Sequence, residues 1–228
     1  MLTVEEQAVV LLSLKVAVVA VAASLPLAVA AGWLLARRRF PGRLVLDALI
    51  HLPLVLPPVV TGYALLELFG HNGAIGRALM DATGFGFAFR WTGAALASAV
   101  MGFPLMVRAI RLAIEAVDPR LENAAATLGA PPVRVFFGLT LRLAWPGVVA
   151  GAVLGFAKAL GEFGATITFV SSIPGETQTL ASAIYGLLQV PGGEGGVLRL
   201  CLVAVVLSFV ALLASEWLLQ RQRAERAT

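Results

Sequence analysis

Long hydrophobic runs dominate the chain, and short polar segments separate them. Five runs reach the length of about 20 residues that a helix needs to cross a bilayer. They cover residues 9–36, 45–69, 92–114, 143–170 and 197–219. Unpaired backbone groups are too costly in lipid, so each run is predicted to be a helix. The pattern predicts an all-α integral membrane protein with five transmembrane helices, built as a single transmembrane domain over residues 1–228.

Composition supports the membrane assignment. The 228 residues are 59% hydrophobic and 13% charged, and the mean hydropathy is +0.91. A soluble domain of this size needs more charge to cover its surface. The lone cysteine, Cys201, excludes an internal disulfide. The segment MLTVEEQ is acidic, and arginines follow the first apolar run, which is the reverse of a secretory signal, so we expect the first span to be retained.

Basic residues predict how the chain is oriented. Twelve of the 17 fall in segments 37–43, 108–142 and 221–226, which lie on one side of the five predicted spans. The positive-inside rule then places the N-terminus outside and the C-terminus inside. This distribution explains the net charge of +4 as a topology signal and excludes a nucleic-acid partner. Five spans cannot form two equal inverted repeats, so we expect a second copy of the chain and a pathway on the two-fold axis.

The inside loop between the third and fourth spans contains a predicted short amphipathic helix. Asp118 can be its N-cap and Pro119 its first residue, while Gly129 and the following Pro-Pro pair end it. Apolar side chains recur at helical spacing at Leu121, Ala124, Ala125 and Leu128. The small residues favour close approach of another protein surface, and the same pattern also fits a helix lying on lipid.

The same loop carries a family resemblance. The run Asn123-Ala124-Ala125, followed after three residues by Gly129, is similar to the EAA signature of ABC-importer permeases. Asn123 stands where the family usually has Glu, and Arg142 stands where it ends the signature with Pro. The resemblance implies a coupling loop over about 117–142, whose helix docks on a cytoplasmic ATPase subunit. The coupling residues it implies are Glu122, Asn123, Ala124, Ala125, Leu128 and Gly129.

A second resemblance is more specific. The segment GEFGATITFVSSIPGETQT (161–179), with 50–63 and 103–118, resembles the molybdate permease subunits of bacterial ABC importers over nearly the whole chain. This implies a type I importer permease fold, multi-pass, in the bacterial inner membrane. The implied partners are a second copy, two cytoplasmic ATPase subunits, an extracellular or periplasmic molybdate-binding protein and membrane lipid. The cargo is molybdate or tungstate, and sulfate permeases, with a related Gly-Glu-Tyr-Gly element, are the nearest alternative.

Polar residues of this segment are candidates for the pathway or its gate. Lys158 and Glu162 lie one helical turn apart at membrane depth, and Gly161 and Gly164 would allow a bend. The hydroxyl candidates are Thr166, Thr168, Ser171 and Ser172. Two structural alternatives stay open. The charged pair can simply neutralise itself between helices, and hydroxyls can bond back to their own helix.

Other polar positions are interpreted as structural. Asp47 and His51 fit a satisfied pair better than a proton relay, and Lys15 is expected to extend toward water. Glu176 and Thr177 are predicted to cap a short helix over 179–190.

Absent motifs narrow the function. The sequence has no phosphate-binding G-x-x-x-x-G-K-[ST] loop, no G-x-S-x-G elbow and no metal-ligand spacing. We therefore expect a non-catalytic subunit without cofactors, with ATP hydrolysed by another subunit. An intramembrane enzyme using a buried polar pair, and an ATP-independent channel, are the alternatives from other classes.

Overall fold

The computed structural model describes residues 2–227. The regular secondary structure in that range is all helical, and it contains no strand. A π-helical segment, Phe136–Thr140, joins the helices Pro132–Val135 and Leu141–Leu160. The helices are α1 (Val4–Arg37), α2 (Arg43–Val55), α3 (Pro58–Phe69), α4 (Ala74–Thr83), α5 (Trp91–Glu115), α6 (Pro119–Thr127), α7 (Pro132–Val135), α8 (Leu141–Leu160), α9 (Gly164–Val170), α10 (Leu180–Leu187) and α11 (Glu194–Ala227).

Five spans are present when one bent pair counts as a span. Helices α1, α5 and α11 and the continuous stretch Pro132–Leu160 are each long and apolar enough to cross a membrane. Helices α2 and α3 together are long and apolar enough for a fifth span, with a bend of 114° between them. Pro57 and Pro58 explain the break, because neither can donate the backbone hydrogen bond that would continue α2. The all-α prediction is confirmed, and the four long apolar helices with this bent pair agree with the five predicted spans.

Helix α5 forms the centre of the bundle and packs along α1 and α8. In its most apolar window 61% of the residues are buried, against 6% in α11, so α11 is a peripheral helix. Small residues allow the close packing of α5. A Cβ on Gly155 would lie 2.8 Å from the Met106 side chain, and one on Gly32 would lie 3.1 Å from Ile110. Such contacts are typical of helix pairs in membranes, where dispersion attraction replaces the hydrophobic drive.

The fourth predicted span, 143–170, is wrong at both ends. Its helix begins at Pro132 and stops at Leu160, and the chain resumes as α9 at Gly164. Helix α9 packs on α3, and a Cβ on Gly164 would lie 2.7 Å from the Pro58 side chain. Helices α3 and α9 therefore begin side by side within the bundle, and the predicted span is interrupted at 161–163, next to the two glycines that were expected to allow a bend.

The predicted cap of α10 is also wrong. The N-cap is Thr179, and the Leu180 amide donates a hydrogen bond of 2.7 Å to the Ser13 hydroxyl of α1. The Thr177 hydroxyl is used inside the preceding turn, where it accepts from the Ile173 amide at 2.9 Å. A contact 167 positions away thus replaces the expected local cap.

We call the end of the bundle that carries α6 the α6 end, and the end near α10 the opposite end.

Candidate coupling surface and pathway residues

Helix α6 forms because its first and last residues are suited to those positions. The Asp118 carboxylate accepts a hydrogen bond of 2.9 Å from the Arg120 amide, and Pro119 is the first helical residue. Gly129 follows the helix with φ of +85°, a conformation that residues with a Cβ rarely adopt. The predicted N-cap, first residue and terminating glycine of this helix are confirmed.

The apolar face of α6 is largely uncovered within the described chain. Leu128 is 87% exposed and Leu121 is 49% exposed, while Ala125 is half-buried. Asn123 and Ala124 are exposed as well. No Cβ-sized obstruction surrounds Gly129, since no described atom lies within 4 Å of the position that a Cβ would take. The face is therefore free to meet another surface.

Glu122 attaches α6 to the bundle. Its carboxylate accepts from the Arg37 guanidinium at 3.1 Å and from the Thr140 hydroxyl at 2.6 Å. Arg37 also donates to the Val117 carbonyl at 2.8 Å. This node, formed by Arg37, Glu122 and Thr140, links α6 to the end of α1 and to the π-helical segment before α8. The node was not predicted, because the position of Arg37 in a basic segment indicates only a topology signal.

The structure brings Lys158 and Glu162 together. The Lys158 ammonium lies 2.5 Å from the Glu162 carboxylate. The Glu162 side chain is 1% exposed and that of Lys158 is 29% exposed. The second carboxylate oxygen of Glu162 accepts from the Ala165 amide at 2.9 Å, so Glu162 also satisfies an amide in the first turn of α9, just after the break at Gly161. The two donors satisfy the buried carboxylate, and the partly exposed ammonium beside it can still meet a ligand.

The four hydroxyl candidates differ in what they contact. Thr166 donates to the Phe163 carbonyl at 2.9 Å, and Thr168 donates to the Gly164 carbonyl at 2.8 Å. Both therefore bond back to their own helix. The remaining two behave differently: Ser172 donates to the Ser182 hydroxyl at 3.0 Å, and Ser171 is exposed with φ of +63°. Their place in a pathway stays a prediction.

A charged cluster joins α2 to α5 at the α6 end. Arg111 donates to Asp47 at 3.0 Å and to Glu115 at 2.8 Å. His51 Nδ1 lies 3.2 Å from the other Asp47 carboxylate oxygen, but its hydrogen bond of 2.8 Å is to the Asp47 main-chain carbonyl. That carboxylate oxygen is buried without a hydrogen-bond partner among the described residues, so the satisfied pair of Asp47 and His51 stays a prediction. Among the described residues no group of three or more His, Cys, Asp or Glu side chains could hold a metal ion.

Two contacts at the opposite end were not predicted. Arg199 at the start of α11 forms an ion pair of 2.7 Å with Glu6 of α1. Lys15 is exposed, as expected for a side chain that extends toward water, and its ammonium lies 3.6 Å from the centre of the Trp91 ring, a contact that was not expected. Both contacts join helices distant in sequence, which spacing alone could not reveal.

Comparisons with known proteins agree with this architecture. Residues 25–224 match the family described as "Binding-protein-dependent transport system inner membrane component". The chain is 59% identical over 227 residues to the molybdenum transport system permease protein ModB of Escherichia coli (strain K12), covering 99% of each chain. It is 58% identical over 212 residues to ModB of Haemophilus influenzae, covering 93% of each.

A solved structure has a similar fold. The crystal structure of a bacterial alginate ABC transporter, in complex with a periplasmic protein carrying an alginate pentasaccharide, aligns with a TM-score of 0.69. The alignment covers 94% of this chain and 77% of that chain at 15% identity.

Proposed function

Because the chain belongs to the family of binding-protein-dependent transport system inner membrane components, we propose that it forms the translocation pathway of an ATP-driven molybdate importer. Tungstate has the same tetrahedral dianionic form and would follow the same route. The chain itself is a non-catalytic, multi-pass subunit of the bacterial inner membrane. ATP is hydrolysed by a separate subunit.

The complex that we propose has two copies of this chain, two ATPase subunits and a binding protein. One chain provides five spans, and a pathway on a two-fold axis needs a second. The α6 end faces the cytoplasm, in accord with the basic residues of segments 37–43 and 108–142. The opposite end, with the turn at Ile173–Gln178, faces the binding protein.

The proposal is carried by the exposed apolar face of α6 and by the attachment of this helix to the bundle. It is a short helix with an exposed apolar face, and Glu122 ties it to both α1 and the segment that leads into α8. A helix that only rests on lipid needs no such node. A force that an ATPase applied to α6 would be transmitted to α8. Lys158 lies at the far end of α8 and pairs with Glu162, just beyond it.

The pathway residues belong to the same proposal. Lys158 and Glu162 form part of the wall or gate, and Gly161 and Gly164 permit the bend between α8 and α9. Ser171 and Ser172, together with Thr166 and Thr168, line the outer end of the pathway. A single half-exposed ammonium attracts a dianion without the grip of a multi-arginine site, which suits a cargo that must be released.

The test is ATP-driven uptake of labelled molybdate. The chain is reconstituted in vesicles with its ATPase and binding protein, and sulfate is the competitor. We expect uptake that requires ATP, resists excess sulfate and is lost in Gly129→Asp. The matched control is Gly84→Asp, which places the same charge at a glycine of similar φ, +68°, outside α6. Uptake blocked by sulfate would indicate sulfate as the cargo. An equal loss of uptake in Gly129→Asp and Gly84→Asp would contradict a coupling role for α6.

A further inference from the structure

A charged cavity of about 290 Å³ lies between α2 and α5 at the α6 end. At about 30 Å³ for a water molecule in the liquid, it has room for several waters or for a small hydrated ion. Most of its wall is formed by the side chains of the charged cluster described above. The lining residues are Asp47, His51, Arg108, Arg111, Leu112 and Glu115.

Arg108 has no partner within the described part of the chain. It is exposed, and no hydrogen bond, ion pair or ring contact involves it there. It precedes Glu115, the last residue of α5, by seven residues, or about 10 Å at the helical rise. An ionisable group at that depth in a membrane bundle usually faces the interior or a water-filled pathway. Arg108 is therefore placed to meet an anion in water.

The face of α5 that carries Arg108 is covered by α9 nearer the opposite end. Met101 lies seven residues before Arg108, which is two helical turns, and so shares its face. Met101 is buried in one hydrophobic cluster with Ala165 and Phe169 of α9. At Arg108 the face is open, and Leu112, one turn further, is 58% exposed. The open part of this face therefore begins beyond α9, on the side of the α6 end.

Lys158 and Arg108 lie at successive depths of the bundle. Helices α5 and α8 run antiparallel, and a Cβ on Gly102 of α5 would lie 3.3 Å from the Gly155 carbonyl oxygen of α8. From that level Lys158 is three residues nearer the opposite end, and Arg108 is six residues nearer the α6 end. Nine residues of helical rise correspond to about 14 Å. An anion that left Lys158 toward the α6 end would next reach the level of Arg108.

We propose that Arg108 is a second binding position for the tetrahedral dianion, which meets it on the cytoplasmic side of Lys158. The inference rests on the proposed function for its cargo and its orientation. Arg111 is engaged with two carboxylates, so Arg108 alone offers its guanidinium to the anion. One exposed arginine attracts a dianion without holding it tightly, which suits release into the cytoplasm. The charge is the property that matters, so molybdate, tungstate and sulfate would all meet it.

Cysteine labelling tests whether Arg108 faces water. Arg108→Cys and Val205→Cys are each combined with Cys201→Ser, and the complex in inverted membrane vesicles is treated with membrane-impermeant 2-sulfonatoethyl methanethiosulfonate. Val205 is the lipid-side control, because it is 66% exposed on the peripheral helix α11. We expect the cysteine at position 108 to be modified at least tenfold faster. Equally slow modification at both positions would show that lipid or a second copy covers Arg108, and the proposal would fail.

Opposite charges attached to one cysteine test the electrostatic role. The complex is modified in detergent with 2-aminoethyl or 2-sulfonatoethyl methanethiosulfonate, which add a cation or an anion of similar length, and is then reconstituted for uptake. We expect Arg108→Cys to lower molybdate uptake about fivefold or more, the cation to restore most of it, and the anion to leave it low. A purely structural role would not distinguish the two reagents. Equal recovery with both would overturn the proposal.

Arg39→Cys is the matched control for the uptake measurement. Arg39 is exposed between α1 and α2 and does not line the cavity, so its replacement and either reagent should leave uptake unchanged. Undiminished uptake by Arg108→Cys beside an active wild-type chain would overturn this inference and leave the proposed function in place. If the wild-type chain takes up no oxyanion, the proposed function fails, and the role of Arg108 fails with it.

Discussion

Arg37 and Glu122, 85 positions apart along the chain, form an ion pair of 3.1 Å where α6 meets the end of α1. Both side chains are largely buried, with exposed fractions of 14% and 19%. Glu122 also accepts from Thr140, so one carboxylate holds α6 to two elements.

Glu122→Gln should uncouple ATP hydrolysis from transport. The variant keeps the shape of the side chain and loses its charge, which weakens the attachment of α6 by about 1.5 kcal/mol. That free energy corresponds to roughly a tenfold change in the attached population. We expect molybdate transported per ATP hydrolysed to fall severalfold while the ATPase still co-purifies. Glu115→Gln is the control, since Glu115 pairs with Arg111 and not with α6. An unchanged ratio in Glu122→Gln would contradict the coupling role of the node.

The parts of the fold that sequence could predict are those that depend on local pattern. Helix α6 follows from a capping aspartate, a first-position proline and a terminating glycine within twelve residues. The bend between α2 and α3 follows from Pro57 and Pro58. In each case neighbouring residues determine the backbone, so spacing carries the information.

The parts that sequence could not predict depend on contacts between distant residues. The hydrogen bond from the Leu180 amide to Ser13 decides where α10 begins, and nothing near Leu180 indicates it. The ion pair of Arg37 and Glu122 is similar, because each residue alone fits a simpler interpretation. Lys158 and Glu162 could be paired from their spacing, but the cap that Glu162 gives to α9 required knowledge of the break after Leu160.

Gly62→Ala should destabilise the protein by forcing α3 away from α9. A Cβ at Gly62 would lie 2.9 Å from both the Ala165 Cα and the Thr168 Cβ, which is closer than non-bonded carbon atoms approach each other. Overpacking of this kind costs about 1–3 kcal/mol. We expect a lower apparent Tm in detergent and reduced uptake. Gly186→Ala is the control: a Cβ there meets open space in α10, and alanine is the better helix former, so its Tm should be unchanged or higher. Equal Tm values for the two variants would contradict the close contact.

Ser13→Ala should loosen α10. The Ser13 hydroxyl donates to the Val9 carbonyl and accepts from the Leu180 amide, so its removal leaves a buried amide without an acceptor. The expected cost is about 1–3 kcal/mol, seen as a fall in apparent Tm and faster amide exchange at the start of α10. Ser24→Ala provides the comparison, since the Ser24 hydroxyl bonds only to carbonyls of its own helix. A similar loss of protection in both variants would mean that the Ser13 contact does not hold α10.

Two substitutions of Lys158 test whether the Lys158–Glu162 pair does more than neutralise its own charges. Lys158→Met leaves the Glu162 carboxylate, 1% exposed, with only the Ala165 amide as donor. Breaking such a pair costs about 3–5 kcal/mol, so Tm should fall, whereas Lys158→Arg keeps the charge and should keep most of the uptake. Equal uptake by Lys158→Met and Lys158→Arg would contradict a role of Lys158 in the pathway.

The double variant Lys158→Met with Glu162→Gln separates the two roles of this pair. It removes both charges together, and the glutamine oxygen can still cap α9 through the Ala165 amide. If the pair only neutralises itself, the double variant recovers both Tm and uptake. If the half-exposed Lys158 meets the anion in transit, the double variant recovers Tm while uptake stays low. We expect the second result, because the Lys158 side chain is 29% exposed beside a Glu162 side chain that is 1% exposed, so the ammonium is the member of the pair that an anion can reach.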